Sequence, residues 1–406
     1  MNIKVILSNI LMIAVIFIIL VFLLNNSFIY NFIWSTDNLF QDLIMPVKWL
    51  ECFKDGFDIF KSDACAGGTF AYGPMFLNLP INETLKIFYL NYLPYLSIFL
   101  LTTFVVISIN KNTLLCKLLI FLCILNPSTI LLLQRMNVDI IIFLLLIFFS
   151  FNRIFFLNWF LIFFLTFSKI YPVVSGAVLF FENKERSIKK IFLIIFAMII
   201  VSILYLLLNF EDYLNFFNGL SANKAGYHYL FSLNAVPKIF KYSLNFNYIL
   251  SLTVVYLFFF FCINKIKKRL SNENFGQINY FSFEFKLFFL GSFISLLSFI
   301  FFSNFFHREV FLIMTIPFLI SLNYLMNIKY LKYFIYLIVF KYLYLFFYSY
   351  INIYDSLTHE NGIRVFSDYF IFTILIKSIL DFIHMSILAS LTLIFLKKFV
   401  KESIKT

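Results

Sequence analysis

Charge is what this chain has least of. Only 13% of its 406 residues are charged, whereas 62% are hydrophobic, and the mean hydropathy is +0.94. A water-facing exterior needs far more polar surface than that, which excludes a soluble globular protein. Glycine, at 10 residues, is scarce, and alanine is scarce too. Close packing of helices through small residues is therefore not the main device. No HExxH, CxxC or Walker A is present, and no GxGxxG stands between a strand and a helix. A zinc, haem or nucleotide site thus has no signature.

What fills the chain is phenylalanine, 62 copies of it, with abundant Ile, Leu, Asn and Lys. The Asn and Lys excess reads as a compositional bias. Apolar runs of about twenty residues recur from end to end, each long enough to cross ~30 Å of hydrocarbon. The expected fold is an all-α polytopic membrane protein of about 12 transmembrane helices, one integral membrane domain over residues 1–406. The first run, about Val5 to Leu24, is too long for a signal peptide and lacks a cleavage site, so it is retained. Pro127 is expected to kink the run from Leu114 to Leu133, because it removes a backbone donor. The run from Val173 to Phe181 is short, which makes Lys169 to Pro172 a candidate for a broken helix. The formal charge of +12 falls in clusters between apolar runs, the densest at Lys265, Lys267, Lys268 and Arg269. That is the positive-inside pattern, with both termini inside, and it argues against a nucleic-acid partner. The expected location is the cytoplasmic (inner) membrane, multi-pass, with membrane lipids as neighbours.

The stretch from Trp34 to Pro80 is the polar island. It holds Asp37, Asp42, Glu51, Asp55, Asp58 and Asp63, six of the 20 acidic residues. On the lysine pattern, residues 25–83 form the first extracytoplasmic loop. Cys52 and Cys65 can pair there if it faces an oxidising space, two free thiols being the alternative. The same topology puts Arg135, Asn137, Asp139, Lys169, His307 and Arg308 on that outer face. Each alone reads equally as an interfacial side chain snorkelling to the headgroups. Together they describe a polar cavity whose cations can hold a phosphate while a loop carboxylate serves as general base. No cofactor is expected, although Asp37, Asp42 and Asp139 are a conceivable divalent-cation set. In the last two runs, Lys341, Lys377, Asp381 and His384 lie within spans, and the last three share a helix face. That face is either a proton relay of a transporter or flippase, or an internal ion pair that fixes packing.

At these residues the chain resembles the polyprenol-phosphate-dependent glycosyltransferases of the GT-C superfold, in particular the glycosyltransferase 87 family. That family's first outer loop carries an Asp, a spacer, a Gly and an aromatic residue, matched here by Asp42, Gly56 and Phe60. Its turn into the second helix is echoed by Tyr72-Gly73-Pro74-Met75, with Gly73 in place of a proline. Its Arg-Gly-Gln-x-Asn cluster is echoed by Arg135-Met136-Asn137-Val138-Asp139, and its Lys-x-x-Pro element by Lys169 to Pro172. The resemblance implies an inverting transfer of a sugar, mannose being one candidate, from a polyprenyl-phosphate donor. The acceptor would be a lipid-linked or cell-surface glycan. It also implies Asp42 as catalytic base, with Asp37 in reserve. Arg135, Asn137, Asp139, Lys169, His307, Arg308 and Tyr72 would bind the donor phosphate or substrate.

Overall fold

Asparagine side chains open four of the helices. Asn82, Asn126, Asn137 and Asn247 each accept hydrogen bonds from the first free backbone N–H groups of the helix that follows. Each such cap stabilises its helix by about 1 kcal/mol. The computed structural model describes residues 3–25, 39–60, 70, 72–80, 82–110, 113–152, 154–169, 171–181, 188–215, 230–244, 247–273, 275, 278–301, 304–357 and 368–403. In it the apolar runs are helical.

Helix α1 spans Ile3–Asn25, α2 Gln41–Lys54 and α3 Glu83–Ile109, the last with a π-helical turn at Phe88–Tyr92. Helices α4 (Leu114–Leu125) and α5 (Pro127–Arg135) meet at a 40° bend. The bend lies where the Pro127 kink is expected. Asn126 caps α5 by accepting from the N–H groups of Ser128 and Thr129 at 3.0 and 3.1 Å. Then come α6 (Val138–Phe151), α7 (Phe155–Ser168), a first 3-10 segment (Tyr171–Phe181) and α8 (Ile188–Leu208). Helices α9 (Ala235–Leu244), α10 (Tyr248–Leu270) and α11 (Phe283–Phe301) follow. A second 3-10 segment (Phe306–Thr315) leads into α12 (Ile316–Met326), and α13 (Lys329–Leu357) and α14 (Asp368–Ser403) close the chain. Strand pairing among the described residues is confined to one antiparallel pair, Leu230–Phe231 with Asn304–Phe305.

Among the described residues, seven helices are long and apolar enough to cross a membrane, or eight if the bent α4–α5 pair is one span. The chain is a multi-pass helical membrane protein. The expected twelve also counts the shorter apolar runs as crossings. Helices α6 and α7, at 14 residues each, rise only about 21 Å, short of the ~30 Å hydrocarbon layer.

Helix α1 shows how the lipid and protein faces divide. Leu7, Leu11 and Phe22 are exposed, while Ile16, Leu20 and Leu24, spaced four apart, are buried on one stripe. Helix α11 is the opposite case, with Phe285, Leu287, Phe288, Leu290 and Ile294 all enclosed. It lies at the centre and supports the second 3-10 segment from below. Gly291 makes that support possible. A Cβ there would stand 2.6 Å from the Phe311 carbonyl oxygen and 2.8 Å from the Met314 Cβ. Gly291→Ala is therefore expected to force the segment away from α11 and lower stability by about 1–3 kcal/mol. Thermal unfolding of the purified protein in detergent checks this; an unchanged midpoint would show that the two elements are not in such close contact.

Candidate functional site

The two residues linking α5 to α6, Met136 and Asn137, do the assembling. Helix α5 ends at Arg135, and Met136 takes a left-handed conformation with φ of 47°. The N–H groups of Met136 and Asn137 turn back onto the Leu133 and Leu132 carbonyls, a helix-ending pattern normally built with glycine. Asn137 then caps α6, its Oδ1 accepting from the Asp139 N–H at 3.0 Å. Arg135, Asn137 and Asp139 thereby converge within one turn of chain. Met136 stands where the resembled motif has glycine, and its side chain is fully buried.

Asp42 arrives from another direction. Phe40 precedes α2 with φ of 60°, a conformation that costs a bulky residue about 1–3 kcal/mol. Its N–H donates to the Gln134 carbonyl at 2.8 Å, which ties the start of α2 to the end of α5. Asp42, in the first turn of α2, then faces Arg135, in the last turn of α5. Both positions favour their charges through the helix dipoles. Arg135 grips the carboxylate with two bonds, Nε to Oδ2 at 2.9 Å and Nη2 to Oδ1 at 2.5 Å. Asn137 Nδ2 adds a third to Oδ2 at 2.7 Å.

Asp139 lies deeper, with no side-chain exposure. It accepts from Lys169 Nζ, from the Tyr171 hydroxyl at 2.7 Å and from Arg308 Nε at 3.2 Å. A carboxylate so far from water is tolerable only with such partners. Lys169 Nζ also donates to Asn137 Oδ1 at 3.3 Å, so Asn137 bridges the two acid clusters. Two aromatic faces lie beside the lysine, with Nζ 5.3 Å from the Tyr72 ring centre and 5.9 Å from that of Tyr171. Arg308 lies over Tyr171 at 4.8 Å. Tyr72 is buried against Trp49, Phe70 and Phe76. Burial, reinforced by Asp42 and Asp139, pushes its hydroxyl well above the ordinary tyrosine range, so it remains a phenol.

Asp42, Tyr72, Arg135, Asn137, Asp139, Lys169 and Arg308 thus form one contiguous cluster. His307 belongs to the second 3-10 segment, with its side chain outside the described residues; Asp37 lies outside them altogether. The other loop acids go elsewhere: Glu51 pairs with Lys86 at 2.5 Å, Asp58 accepts from the Phe60 N–H, and Asp55 is exposed at the end of α2. Asp63 and Cys65 are outside the described residues, while Cys52 is disulfide-bonded. Gly56 takes the left-handed position after α2, with φ of 83°. No group of three metal-ligating side chains occurs among the described residues; Asp42 and Asp139 are each engaged by cations instead.

Among the described residues, three cations, Arg135, Lys169 and Arg308, gather around two carboxylates, Asp42 and Asp139. Arg135 is the outermost, with 36% of its side chain exposed, and Arg308 keeps 20%. The cluster is therefore suited to an anion approaching from the Arg135 side. Its one donor not foreseen from the chain is the Tyr171 hydroxyl. Glu309, next to Arg308, was also unforeseen; it enters a second, fully buried charge network with Lys341, Lys377 and Asp381. His384 is buried edge-on to Phe334 with neither ring nitrogen hydrogen-bonded. No protein-family model, curated protein or solved structure matches the chain.

The turn carrying Tyr72 is docked on α7 through Gly73, whose N–H donates to the Ser168 carbonyl at 2.9 Å. A Cβ on Gly73 would fall 1.9 Å from the Phe167 carbonyl oxygen. A proline there would collide equally and would lack the donor. Gly73→Ala is expected to separate the Tyr72 turn from Lys169 and cost about 1–3 kcal/mol of stability. Denaturant unfolding followed by tryptophan fluorescence, with Trp49 beside Tyr72 as reporter, measures it; an unshifted midpoint would refute the contact.

Proposed function

We propose that the chain is an integral membrane glycosyltransferase. It takes a sugar from a polyprenyl-phosphate donor and passes it to a lipid-linked or cell-surface glycan, with mannose as one candidate sugar. The observation that carries this reading is the grouping of one carboxylate, Asp42, with three cations, Arg135, Lys169 and Arg308. Base and phosphate clamp are the two parts such a transfer requires. Asp42 removes the proton from an acceptor hydroxyl. The acceptor oxygen attacks the anomeric carbon, the bond from that carbon to the phosphate oxygen breaks, and the configuration inverts. Arg135, Lys169 and Arg308 stabilise the charge on the departing polyprenyl phosphate, Arg by bidentate bonds and Lys as a point charge.

The resting geometry adds an order of events. Both oxygens of Asp42 are engaged by Arg135 and Asn137, so an acceptor hydroxyl has to displace one of these bonds. A donor phosphate competes for the Arg135 guanidinium, and each bond it takes frees an oxygen of Asp42 for the acceptor. In this reading the site lies on the extracytoplasmic side of the cytoplasmic membrane, within a first outer loop over residues 25–83. Twelve spans result when the bent pair, the three shorter apolar helices and the first 3-10 segment all cross.

The second reading is a transporter, flippase or polymerase of lipid-linked sugars. It is favoured by the buried Glu309, Lys341, Lys377 and Asp381, since titratable groups inside spans serve proton relays. Each of these charges already meets its opposite, however, as expected of a packing lock. Proton-driven uptake into proteoliposomes that disappears in Asp381→Asn would decide for the transporter.

Asp42→Asn is expected to lower the transfer rate by ~10²–10⁴ with the folded protein retained in the membrane. The assay uses purified protein, polyprenyl-phosphate sugar and acceptor. Full activity in this variant would remove the assignment.

A further inference from the structure

Arg308 and Glu309 are neighbours in sequence that serve two different charge networks. A 3-10 segment winds three residues per turn, so consecutive side chains leave it about 120° apart and every third one falls in the same row. Arg308 and Phe311 share a row, and both meet Tyr171, the Phe311 ring centre 5.6 Å from that of Tyr171. From this row Arg308 reaches Asp139. Glu309 leaves on the next row and reaches Lys341 at 2.8 Å and Lys377 at 3.4 Å. Asp381 closes the ring from α14, 2.6 Å from Lys341 and 2.7 Å from Lys377. The Lys377–Asp381 contact has hydrogen-bond geometry. The contacts of Glu309 and Lys341 are ion pairs.

No member of this ring is more than 2% exposed. Two positive and two negative charges balance, and withdrawing any one would leave an uncompensated charge in an apolar interior. The ring therefore admits one rotational setting of the segment that carries Glu309, and that setting also aims Arg308. The segment needs such an anchor, because its winding has poor intrinsic hydrogen-bond geometry and rarely persists for ten residues.

We infer that the Glu309–Lys341–Lys377–Asp381 ring positions Arg308, and so sets the affinity of the cation cluster for a phosphate-type anion. The inference rests on the phosphate-binding part of the reading above, not on the identity of the sugar or acceptor. Glu309 touches no ligand in this scheme. It acts through Arg308, and that predicts non-additivity.

The experiment measures binding of decyl phosphate to the purified full-length chain in detergent, with thermal unfolding recorded in parallel. Arg308→Met and Glu309→Gln are each expected to weaken binding about tenfold or more, the scale of one charge-assisted hydrogen bond. Glu309→Gln added to Arg308→Met is expected to weaken it no further. Glu309→Asp, which keeps the charge, recovers part of the loss. The pair Glu309→Gln with Lys341→Gln leaves the interior neutral and is expected to fold, with the same loss of affinity as Glu309→Gln. Unchanged binding in Glu309→Gln or in the neutral pair overturns the inference, as does a loss that adds to that of Arg308→Met. A neutral pair that fails to fold makes the ring a packing element and overturns it too. Wild type that binds no decyl phosphate overturns the phosphate reading together with the inference.

Discussion

A carboxylate without access to water has to be met by donors, and at Asp139 they come from three separate parts of the chain. Lys169 extends from the end of α7, Tyr171 from the first 3-10 segment and Arg308 from the second. Because each donor is needed to hold that charge in an apolar interior, the ends of these elements cannot drift independently. Asp42 is then added through Asn137, which donates to one acid and accepts from the lysine of the other. The cluster is a set of element ends joined by one desolvated anion.

How much of this could be read from the chain follows from contrast. In a sequence this oily, Arg135, Lys169 and Arg308 stand out because a charge deep in hydrocarbon costs at least ~2.5–3.5 kcal/mol. Asp42 stood out through its place in the one polar island. Tyr171 did not, being one of 24 tyrosines with nothing local to single it out. Glu309 is marked by nothing beyond its place beside Arg308. Charge balance could have found it: Lys341 and Lys377 share a buried helix pair with Asp381, and two lysines there call for a second carboxylate. The left-handed Phe40 and Met136 and the 3-10 winding were illegible, because tertiary contacts impose them against local preference.

Composition misled in one respect and was silent in another. The asparagine excess reads as bias, yet four of those residues cap helices at the breaks between apolar runs. The few glycines matter individually. Gly73 and Gly291 each sit against a carbonyl oxygen at a distance no Cβ can take, and each contact seats an element that carries a member of the cluster. Among the described glycines, these two approaches are local exceptions to bulky packing.

The ten-residue winding at Phe306–Thr315 has a mechanical side. At about 2.0 Å per residue it is some 5 Å longer than the same residues coiled as an α-helix at 1.5 Å. Re-coiling would shorten the stretch and change the angle between successive side chains from about 120° to about 100°. Arg308 and Glu309 could not then both keep their appointments with Asp139 and Lys341. The stretch behaves as a screw thread of fixed pitch between two charge networks, and its pitch is the tolerance to which this part of the protein is made.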